Sequence, residues 1–486
     1  MLFRFSHLYN KRSLSLKGDV AAAARRKWPG VSVVERVVDA AGLDEGAEIA
    51  IVGTAFKEMA KRPDVLAEYQ DLFAAADAAD AAADAAESYA SADDAIVLED
   101  ESGRVKIVGA GSPLPAATMA TGLIVAVRGR VTGDGELEAA DYCGCGYAAP
   151  RDAPAPMDDA DESPLVLLLA GPCAADVRDE TAAAGRFALL TEWLSGALGD
   201  AGVARRVARV VVAGDVVCMD PSEAAAKART ARALTPPNGS SKGGAKDAAS
   251  EAALAPVRVA DVMLARLAAL APTDAMPGPA DPTSFTMPQQ PLHPLLLPTA
   301  NRYADTFVAA PNPHECEVGG KLFLGHSGQP VQDMLKHADY AASAAARGAT
   351  RAFNDGASCV DRHVDGDDDA YLACLEDTLW WRVLAPTAPD TLPAYPFNDA
   401  DPFVIDDQPD LLFAGDAPHF ATSKAKRPDG SPAATLLALP SFARTGVCAL
   451  VDLNTMDVER LHFDAPAAPG AETDAPAGAT PAPADA

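Results

Sequence analysis

Two hydrophobic rhythms divide the chain. From Ser32 to Ala149, short β-rich runs alternate with turns, as in "EIAIVGTAFKEM", "AIVLEDESGRVKIVG" and "TGLIVAVRGRVTGDGELEAADYC". Runs of this kind predict short strands. Glu101-Ser102-Gly103 and Gly133-Asp134-Gly135 lie between such runs and predict hairpin turns. Several short strands in a segment of this size predict a small barrel of OB type. From Pro164 the rhythm changes: "PLVLLLAG" and "VARVVVAGDVV" are continuous apolar runs, separated by the amphipathic "GRFALLTEWLSGAL". Strand, helix, strand with buried strands predicts an α/β domain. Downstream, "APVRVADVMLARLAALAP" predicts a further amphipathic helix.

Segments without rhythm mark the joints. "AAADAADAAADAAESYAS" reads as an alanine and aspartate insertion, a surface helix set into a loop, and "AAPRDAPAPMDDADES" reads as a linker. "LTPPNGSSKGGAKDAASE" predicts a flexible loop, and the residues after Ala465 have the composition of a disordered tail. The expected organisation is a helical segment over 1–30, a barrel domain over 31–149 with an insertion at about 74–91, and a linker over 150–163. An α/β domain follows over 164–463, with flexible insertions at about 235–252 and 341–369, and then an acidic Pro/Ala tail over 464–486.

The first residues, "MLFRFSHLYNKRSLSLKG", are basic and free of acid before Asp19. Two readings stand side by side. An organelle transit peptide has this composition, and so does an amphipathic helix with Phe3, Phe5, Leu8 and Tyr9 on its apolar face.

Composition narrows the function. The 486 residues are 49% hydrophobic, enough for a sizeable core, and a formal net charge of -29 repels a phosphate backbone. Direct duplex binding is therefore disfavoured. Single-strand binders lay aromatics along a basic groove, whereas the barrel segment is acidic and poor in aromatics, so protein binding suits it better. The apolar run "PLVLLLAGPCAA" falls well short of the roughly 20 residues of a membrane helix, and no membrane partner is expected. Cysteines at 143, 145, 173, 218, 316, 358, 374 and 448 follow no zinc-ribbon spacing and read as reduced, mostly buried thiols.

One place invites chemistry. Asp215 closes the strand in "VVVAGDVVCMD", where α/β folds position metal ligands. A two-metal phosphoesterase needs a cage of carboxylates, histidines and an asparagine to bridge and neutralise two cations, so the neighbours decide.

Those neighbours lie in blocks of unusual specificity: "VVER" to "VGTAFKEM", "DDAIVLEDESGRVKI", "EAADYC", "MPGPADPTSFTMPQQPLHP", "SGQPVQDML" and "LAPTAPDTLPAYPFNDADPFVI". By these blocks the chain resembles the small (B) subunits of the eukaryotic DNA polymerase alpha, delta and epsilon family, and among them those of delta. That family is related to the calcineurin-like phosphoesterases. The resemblance implies an α/β plus β-barrel fold, with an N-terminal helix and OB-fold domain followed by a two-sheet β-sandwich flanked by helices.

It also implies which residues stand at the phosphoesterase positions. In "LAGPCAAD", Gly171 and Cys173 replace the Asp-x-His pair, and in "GDVVC", Asp215 is kept while Cys218 replaces the second carboxylate. In "PGPAD", Pro279 replaces the asparagine ligand and Ala280 the catalytic histidine. In "GDAPH", Asp416 and Pro418 take the two histidine positions, and His419 and His326 read as isolated loop or core histidines. The expectation is a chain without catalytic residues, cofactor or metal.

On this resemblance the chain is a nuclear, non-catalytic scaffold for replication and repair synthesis. Its expected partners are the cysteine-rich C-terminal domain of the catalytic subunit of DNA polymerase delta and a third accessory subunit. The small fourth subunit is left open as a further partner, and the sliding clamp and DNA are reached only indirectly. The alternative from another class is an active metal-dependent phosphoesterase or 3′-5′ nuclease, distinguished by bound metal and hydrolysis of a phosphodiester.

Two smaller features complete the reading. Gln289, Leu292, Leu295 and Leu296 loosely follow the spacing of a clamp-binding peptide, but Pro291 and Pro294 oppose the helical turn such peptides form. A rigid structural loop is the better account. Adjacent Trp380 and Trp381 would face different directions on a helix, which leaves room for one as core and the other as an interface anchor; the core reading is the better account.

Overall fold

A computed structural model describes residues 2–40, 45–59, 61, 88–91, 93–109, 116, 118–151, 163–173, 180–217, 244–340 and 370–464. Helix α1 spans Leu2–Lys27. Strand β1 (Ser32–Val34) and the short helix α2 (Val37–Ala40) lead into β2 (Glu48–Glu58), β3 (Ala95–Asp100), β4 (Gly103–Val108), β5 (Ile124–Val131) and β6 (Leu137–Cys143). Strand β2 pairs with both β3 and β5, and β6 joins β4 to β5, so the sheet closes on itself as a barrel. The predicted hairpins are present: Asp100 pairs with Gly103, and Val131 pairs with Leu137.

The second half begins with β7 (Leu165–Leu169), α3 (Glu180–Leu194), α4 (Ala201–Arg205) and β8 (Val207–Ala213). Helix α5 (Gly244–Leu270), β9 (Thr273–Met276), β10 (Phe307–Ala309), β11 (His314–Val318) and β12 (Lys321–His326) follow. Helices α6 (Gln329–His337) and α7 (Ala370–Trp381) precede β13 (Leu411–Ala417), β14 (Ala421–Lys426) and β15 (Pro432–Pro440). The chain continues through α8 (Phe442–Thr445), β16 (Val447–Asp452) and β17 (Val458–His462).

These strands form two sheets, ordered β10-β9-β8-β7-β16-β17 and β11-β12-β13-β15-β14. Successive strand residues point to opposite faces, and the apolar runs use both. Leu165, Leu167, Val210 and Val212 pack with Phe187 of α3 and Leu264 of α5. Their neighbours Val166, Leu168, Val211 and Ala213 meet Phe323, Phe413 and Leu437 of the facing sheet. Burial on two faces explains why these runs show no alternation in sequence.

One part of the sequence reading needs correction. The flexible insertion expected at about 235–252 gives way to helix at Gly244, and α5 runs for 27 residues with Pro256 inside it. "GAKDAASEAALA" is built of good helix formers, so the helix extends N-terminally past the proline. Residues 235–243, the insertion at 341–369, the bulk of the Ala/Asp-rich insertion and the tail after 464 lie outside the described residues. The end of that Ala/Asp-rich insertion is placed: Tyr89 N–H donates to the Lys336 carbonyl at 2.7 Å, and its ring meets His337.

The barrel and the sandwich share one apolar cluster. Leu8, Leu16 and Val20 of α1, Ile51 and Val127 of the barrel, Leu375 and Leu379 of α7, and Leu412 and Leu436 of the second sheet all belong to it. Polar pins reinforce the joint. Arg12 is fully buried, with Nε 2.7 Å from Asp401 Oδ2, and its remaining nitrogens donate to the carbonyls of Gly122, Ala385, Pro386 and Ala388. Lys57 is buried beside Asp94 at 3.1 Å and donates to the His337 carbonyl. Burial pulls its ammonium below the usual lysine value, against the hydrogen bond and charge of Asp94.

The tandem tryptophans sit in the same joint. Trp381 is buried and stacks on Tyr142 of β6, and Trp380 meets Trp381 edge-on. A Cβ on Gly144 would lie 2.6 Å from the Trp381 ring and 2.8 Å from that of Trp380. Glycine in "YCGCG" is what lets the barrel's last turn lie against both rings. The adjacent Cys145 thiol is pushed up to about 12, chiefly by burial.

Candidate functional site

The carboxyl ends of β7, β8 and β9 in one sheet and of β12, β13 and β15 in the other converge on one cluster of tight loops. Gly171, after β7, has φ +52°, and its N–H donates to the Gly214 carbonyl at 3.0 Å. Gly214, after β8, has φ +88°, and a Cβ there would lie 2.2 Å from Cβ of Ser327. Asp215 and Asp416 both adopt positive φ, 50° and 46°, a region most side chains avoid. Loops from two sheets can approach this closely only because the turn residues are small or left-handed.

The "PGPAD" turn after β9 is locked by its last residue. Asp281 accepts hydrogen bonds from Gly278 N–H at 2.7 Å, Val216 N–H at 2.9 Å and Val217 N–H at 2.6 Å. It lashes the turn after β9 to the turn after β8. Sequence reasoning did not single out Asp281. Its signal was the acidic residue three positions after a glycine in a strand-end turn, a spacing that lets a carboxylate fold back on its own backbone.

The sequence-singled residues fall out as follows. Asp215 Oδ1 accepts from Ala280 N–H at 3.2 Å, so these two positions do meet. Burial first, and then the nearby charges of Asp281 and Asp416, push the Asp215 carboxyl up to about 7. Asp416 is held by Gln332 Nε2 at 2.7 Å and by Arg444 at 3.3 Å. Pro279 and Pro418 are exposed and offer no ligand atom, and Ala280 offers none. Cys173 is half-buried with Sγ 3.1 Å from Met263 Sδ of α5. Cys218 lies outside the described residues.

The two histidines separate. His326 is fully buried on β12, and its Nδ1 accepts from Gly328 N–H at 3.1 Å. That assigns the proton to Nε2, which is buried without a hydrogen-bond partner. Burial drives its pKa down to about 3, so the ring is neutral. His419 is exposed on the turn after β13.

A second polar group lies at the opposite edge of the sandwich. Asp274 of β9, His314 and Cys316 of β11 place one ligand atom each within 4.8 Å of one another. Arg209 of β8 donates to both Asp274 oxygens at 2.8 Å, and His314 Nε2 is 3.1 Å from Asp274 Oδ2. Burial would raise the Asp274 carboxyl, but His314 and Arg209 outweigh it and hold it below the usual carboxylate range. Burial pushes the Cys316 thiol up to about 12. A protonated thiol and an arginine-saturated carboxylate suit a hydrogen-bonded tie between the sheets, from Asp274 to His314, better than a metal centre.

The proline-rich stretch after "PGPAD" is ordered by buried amides. Asn312 Nδ2 donates to Gln289 Oε1 at 2.8 Å and to Ser327 Oγ at 2.6 Å, while Gln289 Nε2 donates to the Gly278 and Ser284 carbonyls. Gln289 and Leu292 are buried, which removes them from any peptide-like display. Pro294 heads a single 3-10 turn over Pro294–Leu296, since a first-turn proline gives up no helical hydrogen bond.

Residues 166–422 match the family model of the B subunit of DNA polymerases alpha and epsilon, and residues 4–142 match that of the DNA polymerase delta subunit OB-fold domain. A barrel of OB type joined to this α/β sandwich thus defines a B-type accessory chain of a DNA polymerase. The DNA polymerase delta small subunit of Arabidopsis thaliana is 33% identical over 87% of this chain and 83% of its own length. That of Oryza sativa is 30% identical over 95% and 93%, and that of Saccharomyces cerevisiae 24% identical over 95% and 89%. The chain belongs to the family of DNA polymerase delta small subunits.

Among the described residues, no helix is long and apolar enough to cross a membrane.

Proposed function

We propose that this chain is the non-catalytic scaffold of a nuclear DNA polymerase delta. It bridges the cysteine-rich C-terminal domain of the catalytic subunit and a third accessory subunit, with the small fourth subunit as a further candidate. The clamp and DNA are reached through these partners. The division proposed from sequence serves this role: a helical segment and OB-fold domain to residue 149, a linker over 150–163, and an inactivated calcineurin-like phosphoesterase domain over 164–463.

The observation that carries the reading is a cluster of strand-end turns in which most positions carry no ligand atom. Where a two-metal phosphoesterase needs carboxylate, histidine and asparagine, this chain has Gly171, Pro279, Ala280 and Pro418. Asp281, in the one intact acidic position of "PGPAD", is occupied by three backbone N–H groups. Asp215 and Asp416 remain, without a group placed as general acid. These turns form the surface proposed to dock protein.

The test is co-expression with the C-terminal domain of the cognate catalytic subunit, using the full chain and a version lacking the sandwich. Co-purification of the full chain, together with no manganese-dependent hydrolysis of a generic phosphodiester, is expected. Failure to form the complex overturns the scaffold reading, and metal-dependent hydrolysis that is lost in Asp215→Asn restores the phosphoesterase alternative.

A further inference from the structure

The second sheet of the sandwich ends on one side in β11, which pairs with β12 alone among the described strands. Gly319 and Gly320 join the two strands, both at positive φ, 58° and 77°, and Val318 pairs with Lys321 across this two-residue turn. Such a turn is closed by a hydrogen-bonded pair, and bonded and non-bonded pairs alternate from there along an antiparallel ladder. His314, Cys316 and Val318 therefore bond to β12, while Glu315 and Glu317 turn their N–H and C=O groups outward. Leu322, opposite Glu317, obeys the same alternation: its N–H donates to Asp410 Oδ2 at 2.9 Å and its C=O accepts from Asp410 N–H, on the side away from β11. Among the described residues, nothing bonds the outward backbone groups of Glu315 and Glu317.

The same two residues carry exposed carboxylates, and the period of a strand places both on one face. The chain sets one cation of its own there: Arg151, at the start of the linker, lies 2.7 Å from Glu317 Oε2. That hydrogen bond raises the Arg151 pKa, against desolvation, and the charges of Glu317, Asp410 and Asp407 add to the rise. Asp410 is also met by Lys321 at 3.3 Å, whereas Glu315, Asp406 and Asp407 are exposed and have no ion-pair partner among the described residues. The edge is open in its backbone and acidic in its side chains.

We propose that β11 accepts an extended basic segment of a partner protein, added as a further strand along Glu315 and Glu317. Main-chain bonds to the outward groups supply affinity, and cross-strand Lys or Arg beside the two glutamates supplies selectivity. Residues between those cations lie on the opposite face, beside buried His314 and Val318 and half-buried Cys316, and are therefore apolar. Arg151 is the internal competitor for Glu317, and an exposed ion pair of this kind is weak and open to exchange. The chain's own linker is a poor occupant: Asp152, Asp158, Asp159, Asp161 and Glu162 repel the edge, and Pro154 and Pro156 lack the N–H groups a ladder needs. Strand addition here is independent of which polymerase subunits assemble on the chain.

The experiment uses the full chain and two fluorescein-labelled peptides, one alternating Lys and Val and one alternating Glu and Val, titrated by anisotropy. The basic peptide is expected to bind and the acidic one not, with slowed hydrogen exchange over residues 314–318. A chain of formal charge -29 attracts basic peptides in general, so three substitutions separate the edge from the overall field. Glu315→Gln removes one charge and is expected to weaken binding a few-fold, whereas Glu315→Pro also removes an outward N–H and is expected to weaken it about tenfold or more. Arg151→Ala frees Glu317 and is expected to strengthen binding a few-fold, and this opposite sign separates an edge effect from misfolding. Absence of binding, equal affinity for both peptides, equal effects of the two Glu315 substitutions, indifference to Arg151→Ala, or protection confined to another strand overturns the proposal. A gain of about tenfold on replacing residues 152–162 by Gly and Ser also overturns it, by assigning the edge to the linker.

Discussion

Arg12 and Asp401 meet at 2.7 Å with no exposed side-chain surface on either, although 389 positions separate them in sequence. The pair fastens α1 and, through the Gly122 carbonyl, the barrel to the run "LAPTAPD" of the sandwich. Asp401 also accepts from Phe403 N–H at 2.9 Å, so neither partner has unmet capacity on the shared side.

Truncating Arg12 leaves a buried carboxylate and four carbonyls without their donor. Arg12→Ala should therefore cost about 3–5 kcal/mol in chemical denaturation. Arg12→Met with Asp401→Leu should recover much of that loss, because it removes both charges. If the single substitution costs no more than an exposed one, the joint is held by the apolar cluster alone.

Asp215 sets a pH dependence. Its folded carboxyl titrates at about 7, well above an unfolded aspartate, so the native state binds the extra proton and stability falls as pH rises from about 4 through 7. Asp215→Asn should flatten that part of the profile and raise stability at pH 8 by on the order of 2 kcal/mol. An unchanged slope between pH 4 and 7 would rule out Asp215 as its source.

His326 acts in the other direction. Its folded pKa of about 3 lies below that of an unfolded histidine, so stability is present above about 6.5 and is lost as pH falls toward 3. His326→Leu removes both the group that must charge and the unpartnered Nε2. Thermal melts at pH 5 should show a smaller acid loss in the variant than in the parent chain. Equal losses would place the acid sensitivity elsewhere.

The proline-rich loop depends on its amides as well as on its prolines. Asn312→Ala strips a donor from Gln289 Oε1, which keeps Gln329 Nε2, and from Ser327 Oγ, and a buried acceptor left without its donor costs about 1–3 kcal/mol. Limited proteolysis should show faster cleavage near Phe285, which is 81% exposed, while cleavage in the barrel is unchanged. Pro288→Ala with Pro291→Ala should have a smaller effect of the same sign, through the entropy of the unfolded chain. If those prolines affect neither stability nor assembly, rigidity is not what this edge contributes.

Much of the architecture was legible because each periodicity has a single physical cause. The β-rich runs around Glu101-Ser102-Gly103 announced a strand pair, and the unbroken apolar run Leu165–Leu169 announced a strand buried on both faces. The start of α5 was less legible, since "GSSKGGAKD" mixes loop and helix composition and only the packed helix beyond it extends the structure back to Gly244. Side chains that close a site by folding back on their own loop were the hardest to foresee. Asp281 drew no notice in sequence, and only the positions of Val216 and Val217 reveal it as a clasp.

The sequence by itself determined the change from short barrel strands to an α/β pattern and the types of those strands and helices, because residue identity and local periodicity carry that information. Tertiary structure decided what long-range contact alone can decide. It paired Arg12 with Asp401, set Gly144 against Trp380 and Trp381, and raised the Asp215 carboxyl by burying it near Asp281 and Asp416. Burial and proximity are properties of the folded chain, and no local pattern encodes them.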